Sequence, residues 1–507
     1  MRLAVSGVLL AVSLAFCAAG MWRNMNARAM HADESEQATT FLKLYTEGVY
    51  NYNPNGPHGP TLYYWADFAE NDSAKTPAEK IGVLRLRALM LPMAAAALLA
   101  FFALAGEIGL GACMLSAAAF AGTSLMQIYG TYFIQEIIFS TSVFLTTAFA
   151  LKFALKNSAA NALALGVCAG FALACKETAV ISFAAAAAAA ALLCCISGEA
   201  RKNIFSKKSA LLLCFAAAAF AATAAAWYSS FGANPQGAAD VVKSYSAHFF
   251  GKAAMAEHSA PASFYIKLLF AQKSGGAYFG EAFVSILSLA GIIAAIVRRR
   301  EKSAQAALFF AAAGIASLAI LSCIPYKMPW LALSPAALLC VPAGYAAHRA
   351  LSQKPALAAA ALCAMALLFA FVCRPLARNA VERFHSDPRN PFIYSHTVSD
   401  ENNLAERILR CAEFSEYKKQ MPVAVITKVS PWPLPFQLRG LSNAGFYSAA
   451  PQNIGDFEVV VCDAFTLAET SKKLDLKKYV SDMFGLRKNI ILTVFIKREI
   501  FEKLTGE

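Results

Sequence analysis

Asp33 and Glu34 are the residues of this sequence best suited to acid–base chemistry. The two carboxylates stand side by side after His31 in the stretch HADESEQATTFLKLYTEG. Acidic residues at its start and Gly48 at its end predict a helix. Neighbouring positions on a helix point to different sides, so one carboxylate can face a reacting group while the other orients the turn. The alternative is that both are solvated capping acids.

The residues that follow predict a rigid turn and an interfacial anchor. NYNPNGPHGP, which contains His58, is punctuated by Pro and Gly and cannot be helical. TLYYW then supplies the aromatic side chains that concentrate at a membrane interface. His31 and Asp33 could also ligate a divalent metal, but this pair alone does not decide whether the protein uses one. No cofactor is therefore assigned, and a divalent metal stays open.

Three further motifs carry ionisable residues beside apolar segments: YFIQEIIF with Glu136, CKETA with Lys176 and Glu177, and PYKMPW with Lys327. Charges near membrane depth are costly unless they are paired or hydrated, so each needs a reason. A single polar site, formed by these three motifs and the Asp-Glu pair, would explain all of these charged residues. The alternatives are local: Lys176 and Glu177 capping a hairpin, Lys327 reaching the headgroups, and Glu136 pairing with a distant base.

The elements that must position these residues are membrane helices. The chain has 507 residues, of which 58% are hydrophobic and 15% charged, as expected of a polytopic membrane protein. Apolar runs of roughly 17–22 residues count as membrane helices. Eleven are predicted, at about 3–20, 88–106, 109–127, 132–151, 159–175, 178–196, 209–228, 278–297, 305–323, 330–348 and 355–373.

The distribution of Lys and Arg orients these spans. Basic residues cluster on one side if the N-terminus is cytoplasmic, which places the 21–87 loop, the 229–277 loop and everything after 374 outside. All four charged motifs then meet at the extracytoplasmic face of the cell membrane, inner or plasma. The net charge of +13 is explained by topology and contact with anionic lipids, so no nucleic-acid partner is expected. Residues 1–20 could instead be a cleaved signal peptide, although we predict a retained helix.

The tail, residues 374–507, is predicted to be a small extracytoplasmic α/β domain over the 1–373 membrane domain. DENNLAERILRCAEFSEYKK has helical spacing, whereas VAVITK, FEVVVCD and NIILTVFIKR have strand character. PWPLPFQLRG could hold sugar through Trp432, Phe436 and Arg439 by stacking and hydrogen bonds, or could be a packed aromatic turn. Cys411 and Cys462 could pair, which the sequence does not decide.

These motifs together resemble a known family. HADESEQATTFLKLYTEGVYNYNPNGPHGPTLYYW is similar to the first outer loop of the fold-C (GT-C) glycosyltransferases, integral membrane enzymes dependent on polyprenyl-phosphate sugars and related to dolichyl-phosphate-mannose-protein mannosyltransferases and the aminoarabinose transferase of lipid A. More narrowly, the histidine-x-Asp-Glu opening, KET, PYKMPW and PWPLPFQLRG resemble the flippase-activity-associated proteins of archaeal-type N-glycosylation. The likeness follows the order of nearly the whole chain.

The resemblance implies a hexosyl or pentosyl transferase, mannosyltransferase-like, that moves sugar from a polyprenyl-phosphate donor to a glycan, lipid or protein acceptor. It makes Asp33 the base candidate and Glu34 its structural partner, or, as in some branches, places Asp33 in a metal site. Stabilising the phosphate needs cations. Candidates for this task are Lys327, Lys176 and His58, and candidate substrate contacts are His31, Glu136, Glu177, Tyr326, Trp432 and Arg439. The alternative is a non-catalytic, flippase-associated protein of glycan assembly.

Overall fold

A bundle of apolar helices forms most of the protein. The computed structural model describes residues 2–54, 56, 58–70, 77–246, 259–394 and 397–506. In these ranges eight helices are long and apolar enough to cross a membrane, and three further apolar helices are shorter. The eleven are α1 Arg2–Ala27, α4 Val83–Ile108, α5 Leu110–Ala121, α7 Glu136–Leu155, α8 Ala159–Cys175, α9 Ala179–Ile196, α11 Lys207–Tyr228, α14 Ala282–Val297, α15 Lys302–Cys323, α16 Pro329–Leu351 and α17 Pro355–Arg383.

Shorter elements connect and cap these helices. The remaining helices are α2 Ala32–Glu47, α3 Thr61–Glu70, α6 Ser124–Tyr129, α10 Gly198–Ile204, α12 Pro235–Ser246, α13 Phe264–Leu269, α18 Asp400–Phe414, α19 Leu434–Gln437, α20 Leu467–Lys473 and α21 Arg498–Thr505. The strands are β1 Gln272–Ser274, β2 Ala277–Phe279, β3 Val423–Ile426, β4 Ala444–Tyr447, β5 Val459–Asp463, β6 Tyr479–Arg487 and β7 Ile490–Lys497.

Each of the eleven predicted spans corresponds to one of these apolar helices, so the polytopic prediction is confirmed. Several helix ends differ from the predicted ones, among them the following three. α4 begins at Val83 and therefore includes Arg87, α5 stops at Ala121, and α17 continues past residue 373 to Arg383. α5 stops because Thr123 starts a new helix, α6, by accepting a hydrogen bond from the Met126 amide with its hydroxyl.

Small residues let the helices approach closely. α16 lies in the middle of the bundle, and most of it is buried. α8 and α11 pack so tightly that a Cβ atom built on Gly166 would lie 2.2 Å from the carbonyl oxygen of Ala216. Only glycine fits there, and such contacts are how membrane helices gain packing energy in a solvent as apolar as their side chains.

The helix predicted after His31 is present as α2. It begins at the cap residue His31 and ends at Gly48, whose φ of 78° is left-handed. Glycine adopts this conformation without steric cost, which explains the stop. Helix α3 follows the Pro-rich turn, in which Asn55 and Pro57 lie outside the described residues. The predicted 229–277 loop contains residues 247–258, which also lie outside them, and ends in the β1–β2 hairpin.

The tail contains a five-stranded sheet in the order β4-β3-β5-β7-β6. β3 is parallel to β4 and β5, whereas β7 is antiparallel to β5 and β6. The predicted helix and three predicted strands appear as α18, β3, β5 and β7, and the sequence analysis missed β4 and β6. Cys411 and Cys462 are both free and lie in separate apolar cores, so they do not form a disulfide.

The tail contacts the membrane domain directly. Phe436 of α19 is 1% exposed and belongs to the apolar core of the helical bundle. The Arg439 guanidinium donates from Nη2 to the carbonyl oxygen of Ile81, 2.7 Å away. The Tyr129 hydroxyl donates to the carbonyl oxygen of Phe392, which follows α17. These contacts hold the tail against the end of the bundle that carries α2.

Candidate functional site

Glu34 is the centre of a buried charge cluster. Its carboxylate is 0% exposed and accepts hydrogen bonds from two guanidiniums. Arg28 donates from Nη1 at 2.6 Å and from Nη2 at 3.2 Å. Arg87 donates from Nε at 3.0 Å and from Nη2 at 2.8 Å. The backbone amides of His31 and Phe133 donate as well, at 3.0 and 3.2 Å. Glu34 thereby joins the end of α1, the start of α2, α4 and the segment before α7.

This cluster keeps Glu34 ionised. Burial raises the pKa of the Glu34 carboxyl, but the charges and hydrogen bonds of Arg28 and Arg87 outweigh it and hold the pKa well below its usual range. Arg87 also donates to the carbonyl oxygens of Met25, Arg28 and Ala29, which are left without helical partners where α1 ends. A permanently charged, fully hydrogen-bonded carboxylate suits a structural role and not proton transfer.

Asp33 has a different environment. Its side chain is half-buried, and its carboxylate makes no hydrogen bond or ion pair with the part of the chain that the structure describes. Burial raises the pKa of Tyr326, and the nearby carboxylate of Asp33 raises it further, with Tyr394 and Glu136. Arg487 of the tail is also close enough to interact with the Asp33 charge. Asp33 therefore lies where residues of the bundle and of the tail come close to each other.

His31 orients the first turn of α2. Its Nδ1 accepts a hydrogen bond from the Asp33 amide at 3.1 Å. The ring is thus protonated on Nε2, which donates to the carbonyl oxygen of Tyr394. Both ring nitrogens are engaged, so His31 binds a metal only if one of these bonds breaks. Within the described ranges no group of three or more His, Cys, Asp or Glu side chains is arranged to hold a metal ion.

Lys327 is the buried cation that lacks a carboxylate partner in the described part of the chain. The residue is 4% exposed, and its ammonium donates to the carbonyl oxygens of Ser322, at 3.1 Å, and Ile324. These carbonyls lie at and after the end of α15, where a cation is favourable. Burial lowers the pKa of the Lys327 ammonium. An anionic group entering this region would meet an uncompensated positive charge next to Tyr326.

Two of the predicted carboxylates, Glu136 and Glu177, each have a basic side chain as partner. Lys176 pairs with Glu136, and both residues are 3% exposed. His58 Nδ1 lies 2.8 Å from Glu177 Oε2, and the Tyr52 hydroxyl donates to the other Glu177 oxygen at 3.2 Å. Glu136 therefore has the distant basic partner considered above, whereas the alternative of a Lys176–Glu177 pair is wrong. Lys176 and Glu136 neutralise each other, whereas within the described residues Asp33 and Lys327 have no oppositely charged partner.

The two tail residues predicted from the sequence, Trp432 and Arg439, lie where the tail meets the bundle. Arg439 stacks on Phe436, with 4.0 Å between its Cζ and the ring centroid, and holds Ile81. Trp432 packs against the bundle core and accepts a hydrogen bond from Arg487 at its carbonyl oxygen. These contacts give both predicted residues a role in holding the two domains together.

Four residues near the site were missed by the sequence analysis: Arg28, Arg87, Glu401 and Arg487. Glu401 is 0% exposed, and its Oε1 has no hydrogen-bond partner. Burial raises the pKa of the Glu401 carboxyl to about 8, despite a hydrogen bond from Gln437 and the Arg487 charge. Arg87 could have been found, because a charged residue at the start of an apolar span meets the rule that selected Glu136. Nothing local distinguishes the other three.

The fold is similar over nearly the whole chain to solved structures of membrane proteins. ArnT from Cupriavidus metallidurans, solved with undecaprenyl phosphate bound, superimposes with a TM-score of 0.61 at 13% sequence identity, covering 96% of this chain and 97% of ArnT. The archaeal oligosaccharyltransferase AglB from Archaeoglobus fulgidus, solved with an inhibitory peptide and a dolichol-phosphate, gives a TM-score of 0.54 at 12% identity, covering 98% of this chain and 76% of AglB. The sequence matches no family model and no curated protein.

Proposed function

We propose, from the GT-C fold that the chain shares with ArnT and AglB, that this protein is an integral membrane glycosyltransferase. It moves a sugar from a polyprenyl-phosphate donor to an acceptor at the extracytoplasmic face of the cell membrane. The donor class is supported by the lipid phosphates bound to those two proteins. The acceptor is a glycan, lipid or protein.

The contrast between Asp33 and Glu34 carries the proposal. Glu34 is buried and saturated with hydrogen bonds, whereas the Asp33 carboxylate is half-buried and has no partner in the described part of the chain. Glu34 fixes the position of α2, and the carboxylate of Asp33 is left to act. An unpartnered carboxylate held on a rigid helix is what general-base catalysis requires.

The chemistry divides between Asp33 and Lys327. Asp33 accepts the proton of an acceptor hydroxyl as that oxygen attacks the anomeric carbon of the sugar. The bond between this carbon and the phosphate oxygen breaks, and the bonding electrons leave with the polyprenyl phosphate. Lys327 supplies positive charge for the leaving phosphate. Lys176 and His58 are weaker choices for this task, because each already has a carboxylate partner.

The proposal is tested by separating donor binding from transfer. Radiolabelled polyprenyl-phosphate sugars are bound to the purified full chain, and glycan assembly is followed in cells that carry Asp33→Asn or the wild type. Loss of a general base reduces rate by roughly 10²–10⁴-fold. We therefore expect Asp33→Asn to bind the donor normally but to lose glycan assembly.

Glu47→Gln is the matched control, because it removes one carboxylate from the exposed far end of the same helix. It should bind the donor and support assembly like the wild type. Normal glycan assembly by a membrane-inserted Asp33→Asn variant would exclude Asp33 as the base and favour the non-catalytic accessory role. Failure of every polyprenyl-phosphate sugar to bind would exclude the proposed donor class.

A further inference from the structure

A polar cavity lies beside Arg28 and Arg87 of the Glu34 cluster. It has a volume of about 210 Å³ and opens where α1 ends and α4 begins, beneath α18 of the tail. Its described lining does not include Asp33, Tyr326 or Lys327. The residues that do line it are Met25, Asn26, Arg28, Met30, Val83, Leu84, Arg87 and Asn402.

The charges around this cavity do not balance. Arg28 is 5% exposed and Arg87 is 2% exposed, and the ion pairs of both guanidiniums within the described ranges go to the single carboxylate of Glu34. Two buried cations thus share one anion. Removing a charge from water is costly unless it is compensated, so the excess positive charge favours a further anion at the cavity wall.

Hydrogen-bond donors are also available there. Each Nη of Arg28 uses one N–H bond on Glu34 and keeps a second. The exposed Asn402 accepts a hydrogen bond from Gln437 at its Oδ1, which turns the Nδ2 donor of the amide away from Gln437. Guanidinium and amide donors beside an excess positive charge match the oxygens of a phosphate group.

We infer that this cavity binds a phosphate-bearing anion, and that the bound anion links Asn402 of the tail to Arg28 of the membrane domain. The site is separate from the proposed transfer site and does not depend on it. The apolar side chains of Met25, Val83 and Leu84 at the cavity fit a lipid headgroup. Soluble phosphate presents the same chemistry without the hydrocarbon part.

The test uses the purified full chain in phosphatidylcholine nanodiscs. One arm adds inorganic phosphate, with sodium chloride at equal ionic strength as the screening control. The other arm replaces part of the lipid with phosphatidylglycerol. Thermal unfolding is followed in both arms. Ligand binding to the native state alone raises the Tm, here by roughly 1–4 °C near saturation.

Asn402→Asp places a carboxylate at the cavity, and Asn403→Asp places the same charge on the next residue of α18, outside the cavity lining. Both positions are exposed, so both variants should fold. We expect Asn402→Asp to raise the half-saturating anion concentration roughly tenfold through like-charge repulsion, and Asn403→Asp to respond like the wild type.

Each outcome decides the inference. A saturable response to phosphate identifies the soluble ion as sufficient, and a response only to phosphatidylglycerol identifies a lipid headgroup. Either response must weaken in Asn402→Asp and not in Asn403→Asp. The absence of a response beyond the chloride control in both arms, or equal weakening in the two variants, overturns the inference.

Discussion

Replacing Glu34 with Gln tests whether Glu34 is structural while Asp33 is free to react. The side chain keeps its shape but loses its charge, and its new amide donor faces guanidinium and backbone donors. Six hydrogen bonds converge on the carboxylate: two from Arg28, two from Arg87 and one each from the amides of His31 and Phe133. Both arginines would stay buried without a counter-charge, which costs about 3–5 kcal/mol.

The expected result is a loss of stability that Asp33→Asn does not share. For a chain of 507 residues a destabilisation of about 3–5 kcal/mol lowers the Tm by roughly 3–5 °C. Asp33→Asn makes the same change one residue earlier, where the structure shows no partner for the carboxylate, and should shift the Tm by less than about 2 °C. The assay is thermal unfolding of both purified variants in one detergent.

The two variants should also separate in function. Asp33→Asn should lose transfer while keeping stability, whereas Glu34→Gln should lose transfer only to the extent that α2 loses its position. A Tm for Glu34→Gln within about 2 °C of the wild type would refute the assignment of Glu34 as the structural member of the pair. Equal destabilisation by Asp33→Asn would refute the view that its carboxylate is free to react.

Three further predictions follow from the charges near the site. Burial raises the pKa of Glu401 from 4.5 to about 8. Between these values the folded protein holds a proton that the unfolded chain releases, so the free energy of unfolding should fall as the pH rises through this range. Glu401→Gln should remove this pH dependence from the free energy of unfolding measured in urea. Lys327→Met should weaken binding of a polyprenyl-phosphate sugar by roughly tenfold to a hundredfold. The control Lys273→Met, on the exposed face of the hairpin, should leave binding unchanged. Equal effects of the two variants would exclude Lys327 from the donor site. Lys176→Met and Glu136→Gln should each lower the Tm, and the double variant should lose less than their sum; strict additivity would argue against the buried pair.

The membrane architecture could be predicted because its determinants are local. An apolar run long enough to cross a bilayer forms a helix wherever it occurs, since a backbone in lipid must satisfy its own hydrogen bonds. The observed start of α4 and end of α17 lie outside the predicted apolar runs, because polar residues can extend a helix beyond its apolar core. In α4 this extension places Arg87 inside the helix, where it reaches Glu34.

The separate roles of Asp33 and Glu34 were also accessible from the sequence, since adjacent helical residues face different sides. The environments of the two carboxylates support this prediction. The outer position of the site and the base role of Asp33 stay predictions. The narrower resemblance to flippase-associated proteins stays a prediction as well.

Hydrophobic patterning was enough to predict which segments form the membrane helices and which polar motifs lie together. How the charges pair there depends on the folded arrangement of the helices. Lys176 binds Glu136, 40 positions away, and not its neighbour Glu177, and the partners of Glu34 come from α4 and the end of α1. Pairing depends on which helix ends come within hydrogen-bond distance, and close packing sets that distance through contacts remote in sequence. Which carboxylate is left unpaired, and so available for chemistry, is therefore a property of the fold.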